Sequence, residues 1–269
     1  MFLSEISCKI AKATKNFERV KVMENITFNK MTKSEFRASV ITKVLAILAS
    51  CYGMFITIEG LFAFSYFTNQ SNIFIDIALL ISLVGDILVY TGKKQEKANW
   101  IYILKFLATI SITLTFLVYM FLLAPTAEGG ILHAYFKNYA GSFFVHFVGP
   151  VIAIADFIIF DYRYKSKNIH ILYGITPPLC YVVYVIIMGQ CFDMRWGKEK
   201  DMIAPYNFMN YGAKTGWFGF DLNEMSSKTL GIGVFYMIIA LVIIFLILGA
   251  IYLKIKNLRA RKKMTLLEK

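Results

Sequence analysis

Residues Leu230–Leu253 read LGIGVFYMIIALVIIFLILGAIYL, without one charged side chain. At 1.5 Å per residue, a helix of that length outreaches the roughly 30 Å hydrocarbon core of a bilayer. Five further runs have the same character: Val44–Phe67, Ile73–Tyr90, Phe106–Ala124, Ser142–Phe160 and Ile171–Met188. They are continuous rather than alternating, which excludes a membrane β-barrel. The expected fold is all-α: a six-helix membrane bundle spanning residues 41–255, with a segment of 1–40 before it and a basic tail, 256–269, after it.

The composition of the 269 residues agrees. Hydrophobic residues make up 58% and charged ones 17%, against about 45–50% and 25% in soluble domains. Mean hydropathy is +0.59. Such a chain is neither disordered nor an ordinary soluble enzyme. Four cysteines, in no zinc-ligand spacing, argue against a disulfide scaffold and against a metal site.

Basic residues set the expected orientation. Those before the first span, between spans two and three, between four and five, and after six sum to 23 of the 29 Lys and Arg. The positive-inside rule then puts both termini in the cytoplasm of a multi-pass cell-membrane protein. These residues hug the span ends and form no patch with interleaved aromatics, so anionic lipid is the expected counterpart of the +12 charge and nucleic acid is not. In the first segment Leu3, Ile6, Ile10, Ala13, Phe17 and Val20 recur at helical spacing among Lys9, Lys12, Lys15, Arg19 and Lys21. That pattern predicts an amphipathic helix on the membrane surface or on the bundle. It lacks the apolar run of a signal peptide. Thr32 and Glu35 form a possible capping box for the first span.

Polar groups inside the spans are costly, and therefore informative. Four carboxylates qualify: Glu59, Asp76, Asp86 and Asp156. Counting along the helices places Asp86 and Asp156 at a similar depth near the inner third, where they could share a polar layer or bind Tyr hydroxyls, Lys and Arg. Glu59, deeper than the outer corner, is expected to line a cavity. The corner itself runs Tyr66-Phe67-Thr68-Asn69-Gln70-Ser71-Asn72, with Asp76 one turn later. Capping explains part of that polarity. His146, in Phe144-Val145-His146-Phe147-Val148-Gly149-Pro150, needs a partner from a neighbouring span, as helix glue or as a base. The long outer loop from Cys191 to Lys228 carries Trp196, Pro205-Tyr206-Asn207-Phe208, Trp217, Phe218 and Phe220. Its aromatics either form an interfacial belt or lid a cavity.

The corner, the His146-to-Pro150 helix running on to Asp156-Phe157, and Pro205-Tyr206-Asn207-Phe208 together resemble a bacterial family of six-span membrane proteins. That family has a Y-F-T-N-Q-S-N corner, an H-x-x-x-P helix and a P-Y-x-F loop element. The resemblance covers residues 44–253. The family is in turn distantly similar to the androgen-induced intramembrane threonine hydrolases of eukaryotes, which cleave fatty acid esters of hydroxy fatty acids. The resemblance implies a lipid-ester hydrolase with Thr68 as nucleophile and His146 as base, and no cofactor. Asn69 or Gln70 would then serve the oxyanion, Ser71 and Asn72 would complete the corner, and Asp76 or Glu59 would orient the ring. Two other classes fit the residues: a transporter or channel with Glu59, Asp76, Asp86 and Asp156 along a polar route, and an assembly protein whose polar groups only fasten helices.

Overall fold

The computed structural model describes residues 30–267 except 126, 128, 138 and 198. The amphipathic helix expected within residues 1–29 lies outside the described residues. Within them the chain is all-helical, with isolated bridges in place of strands. Six helices are long and apolar enough to cross a membrane: Lys33–Thr57, Phe67–Tyr90, Asn99–Leu123, Gly141–Arg163, Ile169–Cys191 and Val234–Leu266. The protein is a multi-pass membrane protein.

The first span starts and stops earlier than hydropathy suggests. Thr32 caps it, its hydroxyl accepting the Glu35 N–H at 3.1 Å. The Glu35 carboxylate does not complete the box. It pairs instead with Arg163 (3.0 Å) and accepts from the Tyr162 hydroxyl (2.7 Å). The helix ends at Thr57. Gly60 then takes a left-handed φ of 76°, and Leu61–Ser65 form a 3-10 turn. Apolar character runs on through that turn, so composition does not mark the break. Two corrections follow. Phe67–Asn72 is the opening of the second spanning helix rather than a tight loop. Glu59 sits exposed in the connection, not inside a span, because the helix that would carry it has already ended.

Spans one and four cross closely. A Cβ at Gly53 would come within 2.4 Å of the Val145 side chain and 2.7 Å of its backbone nitrogen. Small residues permit such backbone approach, the usual basis of helix packing in lipid. The aromatic core sits between spans three to six, around Phe106, Phe157, Tyr164, Phe245 and Tyr252. The fifth span is interrupted near Gly174, and Pro177-Pro178 open its longer part, where a missing N–H costs nothing. Ser34 and Lys262 line one pocket, so the first span's start and the last span's end share one end of the bundle, called here the termini end. The opposite end carries the long loop. That loop divides its aromatics: Trp196 is fully buried and donates to Ser65 Oγ at 2.8 Å, whereas Phe218 and Phe220 are exposed.

Candidate functional site

The opening of the second span spends most of its polar side chains on itself. Asn69 donates to the Ala63 carbonyl (2.8 Å) and Gln70 to the Phe64 carbonyl (3.0 Å), tying the 3-10 turn onto the helix. Ser71 bonds the Thr68 carbonyl and Thr115 of the third span (2.7 Å between hydroxyls). Asn72 donates to the Thr68 carbonyl (2.8 Å) and to the Val145 carbonyl of the fourth span (3.3 Å). Asn69 and Gln70 are thereby engaged as fasteners of the turn, a different use from oxyanion donation. Thr68 differs from its neighbours. Its backbone N–H meets the Tyr206 hydroxyl at 3.4 Å, and its side chain lies beside that same phenol. Burial pushes the Tyr206 phenol above its ordinary pKa, so it stays protonated.

His146 owes its setting to a proline. Pro150 has no N–H for the carbonyl four residues back, which is that of His146, and its ring crowds that carbonyl. The helix widens there into a π turn, Phe144–Val148, in which the Gly149 N–H reaches the Phe144 carbonyl. The same happens at the end of the third span. Pro125 follows a π turn, Tyr119–Leu123, closed by the Ala124 N–H on the Tyr119 carbonyl at 2.8 Å. The two widened turns meet face to face. The His146 and Tyr119 rings stack with centroids 3.5 Å apart and planes 7° apart. His146 Nδ1 is buried without a hydrogen-bond partner among the described residues. That nitrogen therefore makes no bond to Thr68 in this conformation. Single-turn π segments frequently mark functional positions in helices.

Thr68 and Tyr119 both line one pocket at the loop end. Its walls come from spans two, three, five and six, and Tyr206, Phe208 and Met209 close it from the loop. The lining is apolar apart from Thr68, Thr115 and the tyrosines 119, 181 and 206. The cavity measures about 40 Å³, room for about three waters. So the pocket joins Thr68 to Tyr119, Tyr119 carries His146, and the loop's Tyr206-to-Phe208 element supplies the cover.

Asp76 lies about two turns deeper than Thr68 on the same helix and outside this pocket's lining. Ser50 donates to its Oδ2 at 2.7 Å and also sits 3.1 Å from Asn72 Oδ1. Its other oxygen, Oδ1, is buried with no partner among the described residues. Among the described residues neither Asp76 Oδ1 nor His146 Nδ1 has a hydrogen-bond partner, so these two atoms are not bonded to each other, and the His146 ring stacks on Tyr119.

Asp86 and Asp156 belong to a different construction at the termini end. Lys43 of the first span reaches both, at 3.1 and 3.0 Å. Lys97 pairs with Asp86 at 2.5 Å and stands 3.8 Å from Asp161. Lys105 of the third span pairs closely with both Asp156 and Asp161. Ser39 and Ser82 take part, Ser39 donating to Asp86 at 2.9 Å and Ser82 accepting from Lys97 at 3.0 Å. Thr42 donates to Asp156 at 2.7 Å. Burial pulls the Lys97 ammonium below its ordinary pKa, opposed by Asp86 and Asp161. The result is three cations and three anions, all buried, tying spans one to four together. Sequence reasoning missed Asp161 and all three lysines. Lys43, Lys97 and Lys105 count among the 23 basic residues read as flanking charge, yet they are interior ligands of carboxylates. A signal was present: Lys105 stands in Ile101-Tyr102-Ile103-Leu104-Lys105-Phe106-Leu107, an apolar setting that a surface lysine rarely has.

Comparison with protein-family models, curated proteins and solved structures finds no match. The family resemblance therefore rests on the quoted motifs alone.

Proposed function

We propose that the chain is an intramembrane lipid-ester hydrolase, with Thr68 as its nucleophile, and that the termini end faces the cytoplasm. The observation that carries the reading is the isolation of Thr68. Of the five polar residues from 68 to 72, it alone faces an apolar pocket beneath an aromatic cover, with a protonated phenol beside it. Apolar walls with few polar groups are what an ester-bearing acyl chain requires.

In the reaction the ester carbonyl lodges between Thr68 and Tyr206. His146 leaves its stack on Tyr119 and accepts the Thr68 hydroxyl proton, since apo hydrogen bonds of catalytic pairs are often unformed. Thr68 Oγ attacks the carbonyl carbon, and the Tyr206 hydroxyl donates to the oxyanion. As the tetrahedral intermediate collapses, the alcohol leaves with the proton from His146. Water, deprotonated by His146, then attacks the acyl-threonine and releases the acid. Membrane lipid is the source of substrate, and no cofactor takes part.

The transporter reading is weaker on one observation. The termini-end charges are already matched three to three, which fits fastening better than conduction.

The test is ester hydrolysis by the purified protein with a long-chain acyl ester, alongside labelling by an electrophilic acyl probe. Thr68→Ser should retain turnover. Thr68→Val and His146→Ala should lose it while keeping the wild-type melting temperature. Full activity in Thr68→Val would overturn the reading.

A further inference from the structure

At the termini end, a wide pocket opens between the start of the first span, the end of the fourth and the last turns of the sixth. It encloses roughly 600 Å³, well within the range of ligand sites. Arg259, Lys262 and Lys263 line it on successive turns of the sixth helix. None of the three is in an ion pair among the described residues. Lys263 lies over the Tyr162 ring at 5.9 Å and feels the Glu35 carboxylate at longer range, outside ion-pair distance. The one carboxylate in the lining, Glu35, is taken by Arg163 at 3.0 Å and by the Tyr162 hydroxyl. Among the described residues the lining thus sets three basic side chains against one carboxylate that is already paired with Arg163.

Beside the polar Thr32, Ser34 and Tyr162, its walls carry aliphatic side chains. Ile159, one turn before the end of the fourth span, is 39% exposed, and Leu258, on the membrane side of the three cations, is 55% exposed. Cations above exposed aliphatic side chains at a span end match a molecule that is anionic at its head and apolar below. Basic pockets between spanning helices bind anionic head groups for this reason. We infer that this pocket seats the head group of one anionic phospholipid, with Arg259, Lys262 and Lys263 on the phosphate and acyl carbons along Ile159 and Leu258. The site is separate from Thr68, at the other end of the bundle, so it acts in anchoring or activation and not in turnover.

The experiment uses the full chain purified in neutral detergent. Native mass spectrometry counts retained lipid, and thermal unfolding reads its effect, with phosphatidylglycerol, phosphatidylcholine or inorganic phosphate added separately. One phosphatidylglycerol should stay bound and raise the melting temperature. Phosphatidylcholine and inorganic phosphate should do neither. The variant Arg259→Gln/Lys262→Gln/Lys263→Gln should bind phosphatidylglycerol about a hundredfold more weakly, from about one charge contact at each residue. Lys93→Gln/Lys94→Gln, exposed at the same end beyond Tyr90, should bind as wild type. Lys262→Glu alone, at an exposed position, keeps the test open if the triple variant fails to fold. Equal binding in the pocket variants overturns the inference. So does a loss shared by the control, or protection by phosphate alone, which would mark a free-phosphate site.

Discussion

The two ends of the bundle handle polar groups in opposite ways. At the termini end, Asp86, Asp156 and Asp161 are each met by at least one ammonium, and Ser39, Thr42 and Ser82 take up further bonds. Toward the loop end, His146 Nδ1 and Asp76 Oδ1 are buried without partners among the described residues, and Thr68 faces a cavity. A buried polar atom costs free energy unless it is bonded. The charges at the termini end are matched by ion pairs, although Glu35 Oε2 there is also without a hydrogen-bond partner among the described residues and Asp161 meets its lysines as ion pairs alone. The two ends therefore differ in how charge is matched, not in a complete absence of unbonded atoms at one of them.

The largest stability loss is expected from Lys105→Met. It leaves Asp161 with only the 3.8 Å approach of Lys97 and strips Asp156 of one of its two ammonium groups. Breaking a buried pair from one side costs about 3–5 kcal/mol. Thermal unfolding in detergent should register the loss, or the variant should fail to accumulate. Adding Asp161→Asn should recover part of it by removing the orphaned charge. A wild-type melting temperature for Lys105→Met would mean that the cluster does not hold the bundle.

Next comes Gly53→Ala. Its Cβ would press on Val145 at side chain and backbone alike, and the backbone cannot step aside. Overpacking of this kind costs about 1–3 kcal/mol. The strain falls where span four carries its π turn, so this variant links the two ends: it should also disturb His146. If Gly53→Ala is neutral, spans one and four do not pack as closely as the structure has them.

These two sites also show what was legible in the sequence. Six apolar runs sufficed for the helix count, because the bilayer imposes a length that composition cannot hide. Helix ends were less legible. Residues 58–66 remain apolar while the backbone turns at Gly60, and residues 33–43 are helical though polar. Hydropathy reports environment and not hydrogen bonding. For the same reason Lys43 and Lys105 read as flanking charge, since one residue's identity does not say whether a carboxylate waits on another helix. The proline-driven π turns were readable in part: Pro150 lies four residues after His146, a spacing the sequence displays. The stack on Tyr119 was not, because it needs two distant turns to meet. The Thr68 pocket draws walls from four spans and a loop, and no local pattern encodes such a convergence.

A smaller effect is expected from Asp76→Asn. Oδ1 has no partner to lose, and the Asn oxygen still accepts from Ser50. The amide's two donors cost something in a site of few acceptors, but the change also removes a buried carboxylate with an unpartnered oxygen, and the two offset to within about 1 kcal/mol. Thermal unfolding at neutral pH reads it. A loss as large as that of Lys105→Met would place Asp76 among the fasteners, and the contrast between the two ends would blur.

Thr68→Val should change stability least. Valine keeps the shape of threonine, and the Tyr206 hydroxyl retains the Thr68 backbone N–H as a neighbour. The Tyr206 hydroxyl loses the Thr68 side chain as a partner, so the cost should be about 0.5 kcal/mol, the low end for one hydrogen bond. On the proposed reading activity should respond in the opposite sense, since the hydroxyl would be the attacking atom. Tyr206→Phe gives the intermediate case: turnover should fall about 10²–10³-fold with the loss of one oxyanion donor, while binding of the acyl chain is kept. Measured together by ester hydrolysis and thermal unfolding, the two variants separate a reactive Thr68 from a merely structural one. A structural threonine would lose stability and activity in proportion. A reactive one loses turnover alone, and its hydroxyl is then the one polar group of the corner that the fold does not need.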